Sequence, residues 1–204
     1  MPVRDDLGVR MKEFYEQIPK TKLMRRTPVA IRIDGKAFHT FTRGFQKPFD
    51  IVLMKSMQET MQYLCKNIQG CVFGYTQSDE ITLILVDYKE LDTSAWFDYE
   101  VQKLCSISAS MATMAFNKFF ADAVEQETCG GEYLEDIAGK HWGAMQKGIN
   151  WNDFPVDCKR GAACIRVNTE SDDTIRCEWK IDKNMPMLKG DDRDYLDKLI
   201  YVGE

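Results

Sequence analysis

Asp34 closes the run VAIRIDGKAFHTF, residues 29–41, and is followed at once by Gly35, then by Lys36 and His39. An acid at the end of an alternating run, next to a residue without a side chain, is how a strand delivers a carboxylate and a carbonyl to a metal ion. A second acid, Asp79, stands in the polar break Gln77-Ser78-Asp79-Glu80 that divides CVFGYTQSDEITLILV into two strand-like runs. If the two carboxylates converge beside the Gly35 carbonyl, they can hold two Mg²⁺ ions, which keep several waters and otherwise take substrate phosphate oxygens as ligands. Gly35 leaves room for a triphosphate, and Lys36, Ala37, Phe38 and His39 offer backbone N–H groups, a cation and a ring nitrogen along it. The competing reading is a turn with an exposed acid, because Asp-Gly is a common turn signal.

The elements around these residues must bring Asp34 and Asp79 together. Leu7, Met11, Phe14 and Ile18 recur at helical spacing and predict an N-terminal amphipathic helix stopped by Pro19. Val29, Ile31 and Ile33 share one face of a strand that ends at Asp34. Pro48 and Asp50 introduce a helix whose stripe Met54, Met57, Met61, Leu64 and Ile68 reads as core, ending near Asn67 and Gly70. A hairpin with acids at its tip follows. Next comes a long helix with Phe97, Val101, Leu104, Ile107, Met111 and Met114 on one side, and Ser106, Ser108, Ala109 and Ala112 small enough for close packing on a sheet. Residues 162–167 and 175–181 read as two more strands around turn residues 168–173, whereas 121–150 reads as an irregular connector with a short helix. After the first helix the order is strand, helix, strand, strand, helix, strand, with one strand added. This is an α+β, ferredoxin-like unit, an antiparallel sheet with helices on one face, in which the first strand lies beside the hairpin.

At 204 residues and 44% hydrophobic, the chain is long enough for one core, and residues 1–204 read as one domain. No apolar run approaches the ~20 residues of a membrane span, and Arg4, Asp5 and Asp6 do not fit a secretory leader. A cytoplasmic protein without a membrane partner is expected. The seven cysteines show no CxxC pair and the two histidines give no zinc spacing, so the thiols read as reduced and mostly core. A net charge of −5 argues against holding nucleic acid by general attraction. An RNA partner needs a local patch, for which Lys20, Lys22, Arg25 and Arg26, or Lys159 with Arg160, are candidates against solvated loops.

Several motifs carry a family resemblance: LGVRMKEFYE at 7–16, IRIDGKAFHTF at 31–41, KPFD at 47–50, GYTQSDE at 74–80, SISASMATMAFNKFF at 106–120, GINWNDFPVDCKRG at 148–161 and DRDYLDKL at 192–199. In this order they resemble the tRNA(His) guanylyltransferase superfamily, the Thg1-like 3′-5′ polymerases, over most of the chain. The resemblance implies a polymerase-like palm, a homo-tetramer, and addition of nucleotides to the 5′ end of tRNA with ATP, GTP and two Mg²⁺ ions. It implies that Asp34 and Asp79 bind both metals, that Gly35 contributes its carbonyl, and that residues 34–39 with Ser78 and Asp79 touch the triphosphate. Glu80 matches an acid beside the metals, and Lys47 a lysine linked to activation of the 5′ phosphate. Relatives carry a longer segment between Phe120 and about Tyr133 than this chain does. Repair of truncated 5′ ends against the opposite strand and dedicated guanosine addition to tRNA(His) both stay open, with GINWNDFP leaning toward repair. The same GINWNDFP reads structurally as a turn in which Trp151 and Phe154 plug the sheet, and His39 has a stronger functional case than His141. A palm-type nucleotidyl cyclase is a rival, although its glycines before two acids are missing here. A catalytically weak RNA- or nucleotide-binding module is another.

Overall fold

The alternation in VAIRID forms a strand: β1 runs Val29–Asp34, with Val29 and Ile31 buried and Ala30 and Arg32 exposed. In the computed structural model, residues 6–127, 154–171, 174–189, 192 and 194–200 are described. After β1 come a short helix α2 (Phe38–Phe41), the long helix α3 (Ile51–Asn67), and the hairpin of β2 (Cys71–Gln77) and β3 (Glu80–Leu85). Helix α4 (Val101–Glu127), a five-residue helix α5 (Val156–Arg160), β4 (Ala162–Ser171), β5 (Thr174–Asp182) and a last turn α6 (Asp194–Asp197) complete the order. The five strands form one sheet in the order β1-β3-β2-β4-β5, and every neighbouring pair is antiparallel. The α+β class and the placing of β1 beside the hairpin are as expected.

Helix α3 starts where the sequence places it because the Asp50 carboxylate accepts from the Leu53 N–H at 2.9 Å, an N-cap in extended conformation. Its stripe Met57, Met61, Leu64 and Ile68 is buried against Ile31, Ile81, Leu83 and Leu85. α4 joins the same layer through Leu104, Ser108, Ala112 and Ala115, spaced four, four and three residues apart. The opposite face is not bare: Phe73, Ala163, Ile84 and Ile165 pack under Met185, Leu188, Leu196 and Ile200 of the C-terminal segment. There Tyr195 donates to Asp182 at 2.8 Å, and burial, with that bond, raises the tyrosine's pKa.

Gly74 sets how closely α3 approaches β2. A Cβ there would stand 2.4 Å from Cys65 Sγ and 3.0 Å from Met61 Cγ, both on the buried face of α3. Gly74→Ala therefore forces the helix outward and is expected to cost about 1–3 kcal/mol, read as a lower urea midpoint with an unchanged slope.

Several expectations need correction. Residues 121–127 belong to α4 rather than to a connector; the rest of that region, with His141 and Trp151, lies outside the described residues. Phe97 precedes α4 in a 3₁₀ turn (Trp96–Tyr99) at φ 48°, and Met114 is 71% exposed. The side of α4 that meets the core carries Leu104, Ser108 and Ala112 with Ile107 and Met111 beside them, and Ser106 and Ala109 are left exposed. Residues 168–171 extend β4 instead of forming a turn. The N-terminal helix exists, α1 (Asp6–Met11) running into a π-helical turn Lys12–Glu16, but its apolar side is uncovered, with Leu7 68% and Ile18 81% exposed. Periodicity specifies the helix, not what covers it. Phe154 packs edge-on against Phe49, 5.2 Å between ring centres.

Candidate functional site

Strand register builds the site. Asp34, the last residue of β1, lies opposite Glu80 at the start of β3, and the Gly35 N–H donates to the Asp79 carbonyl at 3.1 Å. The hairpin turn is only Ser78-Asp79, with Ser78 in the left-handed region at φ 55°. Its hydroxyl donates to Asp79 Oδ1 at 3.1 Å and orients that carboxylate. The two aspartates thus border one cavity of about 400 Å³ together with Gly35 and Lys36, walled by Phe38, Ile81, Ala112 and Phe116. Asp34 is exposed and Asp79 half-buried.

Ala37 takes φ 55° and its carbonyl accepts from Thr40 N–H and Phe41 N–H at 2.8 and 3.2 Å, so the chain turns into α2. That turn sorts the candidate residues. Lys36 stays with the aspartates, whereas His39 and Lys47 border a second cavity of about 280 Å³, shared with Ser78 and Asp79. Phe38 separates the two cavities and lines both. Glu80 does not line either one: its carboxylate pairs with the Arg32 guanidinium.

The absence of a side chain at Gly35 has a local cause besides ligand access. A Cβ there would lie 2.2 Å from Phe38 Cδ2, inside a ring that is itself held 5.3 Å from Phe41 and 5.4 Å from Phe116 between centres. Phe41 and Phe45 continue the cluster to Phe120, which stacks on Phe45 at 5.9 Å and 7°. This aromatic seam joins α2 to α4 and fixes the cavity wall. Sequence reading missed it, although Phe38, Phe41 and Phe45 and, on α4, Phe116 and Phe120 recur at spacings of three and four.

The donor set fits Mg²⁺. No ion pair among the described residues engages Asp34 or Asp79. No three His, Cys, Asp or Glu side chains converge among the described residues, which argues against a closed protein cage. Two uncompensated carboxylates and a nearby backbone carbonyl suit a hydrated cation that completes its shell with phosphate oxygens.

On its far side, the hairpin is tied to α5. The Tyr75 hydroxyl lies 2.7 Å from Gln77 Oε1 and 2.8 Å from the Arg160 carbonyl, its single proton serving one at a time, and Gln77 Nε2 donates to the Lys159 carbonyl at 3.3 Å. Gly161, at φ 77°, allows this approach; a Cβ there would stand 2.2 Å from the Thr76 carbonyl. Three of the four N-terminal candidate cations are engaged elsewhere: Lys20 pairs with Glu100 at 3.8 Å, and Lys22 and Arg25 grip Asp98, holding its carboxyl down to about 2, whereas Arg26 donates its backbone N–H to Asp87 at 2.9 Å. The six described cysteines are free, and Cys65, Cys71 and Cys164 are buried.

Residues 8–138 match the family model described as Thg1, tRNAHis guanylyltransferase. Among solved structures, a bacterial tRNA(His) guanylyltransferase (Thg1)-like protein in complex with GTP is 36% identical with a TM-score of 0.74, covering 97% of this chain and all of that one. A complex of such a bacterial Thg1-like protein with ATP is 34% identical, also with a TM-score of 0.74, covering 96% of this chain and 99% of that one. The tRNA(His) guanylyltransferase of Schizosaccharomyces pombe is 32% identical over 104 residues, 50% of this chain and 37% of that protein. The matched stretches span 32–42% of the first three curated relatives, less than half of their length.

Proposed function

The chain belongs to the tRNAHis guanylyltransferase (Thg1) family, and from that premise we propose that it is a single palm-type nucleotidyltransferase domain adding nucleotides in the 3′-5′ direction to the 5′ end of tRNA. The observation that carries this reading is the pair Asp34 and Asp79, without an ion pair among the described residues and in one cavity with Lys36, beside a second cavity that offers His39, Lys47 and Ser78. Asp34, Asp79 and the Gly35 carbonyl are the residues that would hold two Mg²⁺ ions. Bound there, Mg²⁺ would lower the pKa of the attacking 3′-hydroxyl and offset charge on the leaving group, AMP from a 5′ end activated with ATP or pyrophosphate from a 5′-triphosphate.

The chain's own residues position the reactants. Lys36 and the backbone of residues 35–39 hold the triphosphate of GTP or another NTP, and Ser78 keeps the Asp79 carboxylate aimed at the cavity. Lys47 and His39 serve the second cavity, where a 5′-monophosphate is activated with ATP. Glu80, held by Arg32, keeps the strand ends in register. No protein nucleophile is required, and catalysis rests on alignment and charge neutralisation. The bacterial Thg1-like structures with GTP and ATP support both nucleotides as substrates. Assembly as a homo-tetramer and action in the cytoplasm belong to the same reading; no helix among the described residues is long and apolar enough to cross a membrane.

Repair of truncated 5′ ends is the form we favour, because the cavity offers triphosphate contacts and mostly apolar walls, and base pairing with the opposite strand can then select the nucleotide. With Mg²⁺, ATP and all four NTPs, a tRNA lacking its first 5′ nucleotide is expected to gain the base complementary to the opposing nucleotide, and changing that nucleotide changes the product. Addition of guanosine regardless of the opposing base would replace repair with dedicated guanylylation. No addition on any RNA would leave a nucleotide-binding module.

A further inference from the structure

We infer that Lys159 and Arg160, at the C-terminal end of α5, form the contact for the phosphodiester backbone of the acceptor RNA just beyond its 5′ end; this rests on the nucleotidyltransferase reading above. Three observations lead there. The first is placement: α5 and the hairpin tip border a common cavity of about 180 Å³ lined by Gln77, Ser78, Asp157 and Gly161, so the helix that carries both cations lies beside the turn that carries Asp79.

The second is anchorage. The main chain of these two residues, not merely their helix, is held by the strand that presents the site: the Lys159 carbonyl by Gln77, and the Arg160 carbonyl by Tyr75. Gly161 brings the backbone against Thr76 more closely than any side chain allows. Cations fixed to the metal-bearing hairpin keep register with the reacting 5′ end, which is what positioning by phosphate contacts requires.

The third is charge. The acid nearest in sequence, Asp157, is already engaged, accepting from Gln58 Nε2 at 3.1 Å and pairing with Lys183 at 3.8 Å. Neither Lys159 nor Arg160 forms an ion pair among the described residues, and Arg160 is exposed. On a chain of net charge −5 in which Lys20, Lys22 and Arg25 are paired with acids, these two are cations left for an anion beside the site. Their place at a helix end also suits the helix dipole. That effect concerns stability alone, which separates it from RNA contact.

The test uses the full chain, its K159Q/R160Q variant, and K66Q at the far end of α3 as a control. The probe is a 5′-triphosphorylated tRNA lacking its first nucleotide, followed by GTP incorporation and, without GTP, by fluorescence anisotropy. We expect K159Q/R160Q to raise the KM for RNA and the anisotropy Kd about tenfold. The salt slope of binding should fall by about one to two, since each neutralised phosphate contributes about 0.7–0.9. The KM for GTP and the melting temperature should stay at wild-type values. RNA affinity within twofold of wild type, an equal loss in K66Q, or a lowered melting temperature with unchanged RNA affinity would overturn the inference. If the wild-type chain adds no nucleotide, the enzymatic reading fails, and the anisotropy comparison still decides the RNA contact.

Discussion

Asp34→Ala and Asp79→Ala are each expected to reduce nucleotide addition by a factor on the order of 10³, the scale seen when one preorganised charge-stabilising group is removed from an active site. Neither carboxylate forms an ion pair among the described residues, so each is a negative charge available to a positive ligand. Removing one halves the protein charge available to hold two divalent ions while leaving the apolar cavity wall intact. The fold should survive, because Asp34 is exposed and Asp79 loses only the Ser78 hydroxyl contact at 3.1 Å, a loss of about 1 kcal/mol or less. Initial rates of labelled GTP incorporation across a Mg²⁺ titration, alongside thermal unfolding, check this. Turnover near wild type at saturating Mg²⁺ for either variant would end the two-metal assignment.

Glu80 marks where reading the sequence reached its limit. The strand periodicities, the N-cap at Asp50 and the hairpin at Ser78-Asp79 are local signals, and local chemistry decides them, so β1, α3 and the hairpin appear where expected. The meeting of Asp34 with Asp79 also follows, because it requires only that β1 pair with β3. Whether Glu80 turns toward the metals or toward Arg32 depends on a cross-strand contact that spacing does not encode, and the structure gives it to Arg32. The same holds for Phe38. Its motif suggested ligand contact, yet the ring is also the partition between two cavities, fixed by Phe41, Phe116 and Gly35. On α4 the expected stripe holds at Leu104, Ile107 and Met111, which pack on the core beside the small Ser108 and Ala112, while Met114 turns to solvent and Phe97 falls in the turn before the helix. The exposed stripe of α1 likewise has no partner that the chain's own pattern could name.

Lys47 provides the sharpest separation between the two chemical steps. It borders the second cavity with His39 and Ser78, across Phe38 from Asp34 and Lys36. If the first cavity holds the incoming triphosphate, the charge of Lys47 falls on a different phosphate, one that needs neutralising while ATP activates a 5′-monophosphate. RNA that already carries a 5′-triphosphate bypasses this step. Lys47→Ala should therefore slow addition to monophosphorylated RNA about 10²-fold, the lower end of the range for a lost charge-stabilising contact, and addition to triphosphorylated RNA about threefold or less. Because Lys47 is exposed and forms no ion pair among the described residues, its removal should leave thermal unfolding unchanged. Single-turnover rates on the two RNAs, each with saturating nucleotide, isolate the steps. Equal losses on both substrates would move Lys47 into the transfer step, and equal losses with a lowered melting temperature would make it a structural residue of the loop that leads into α3.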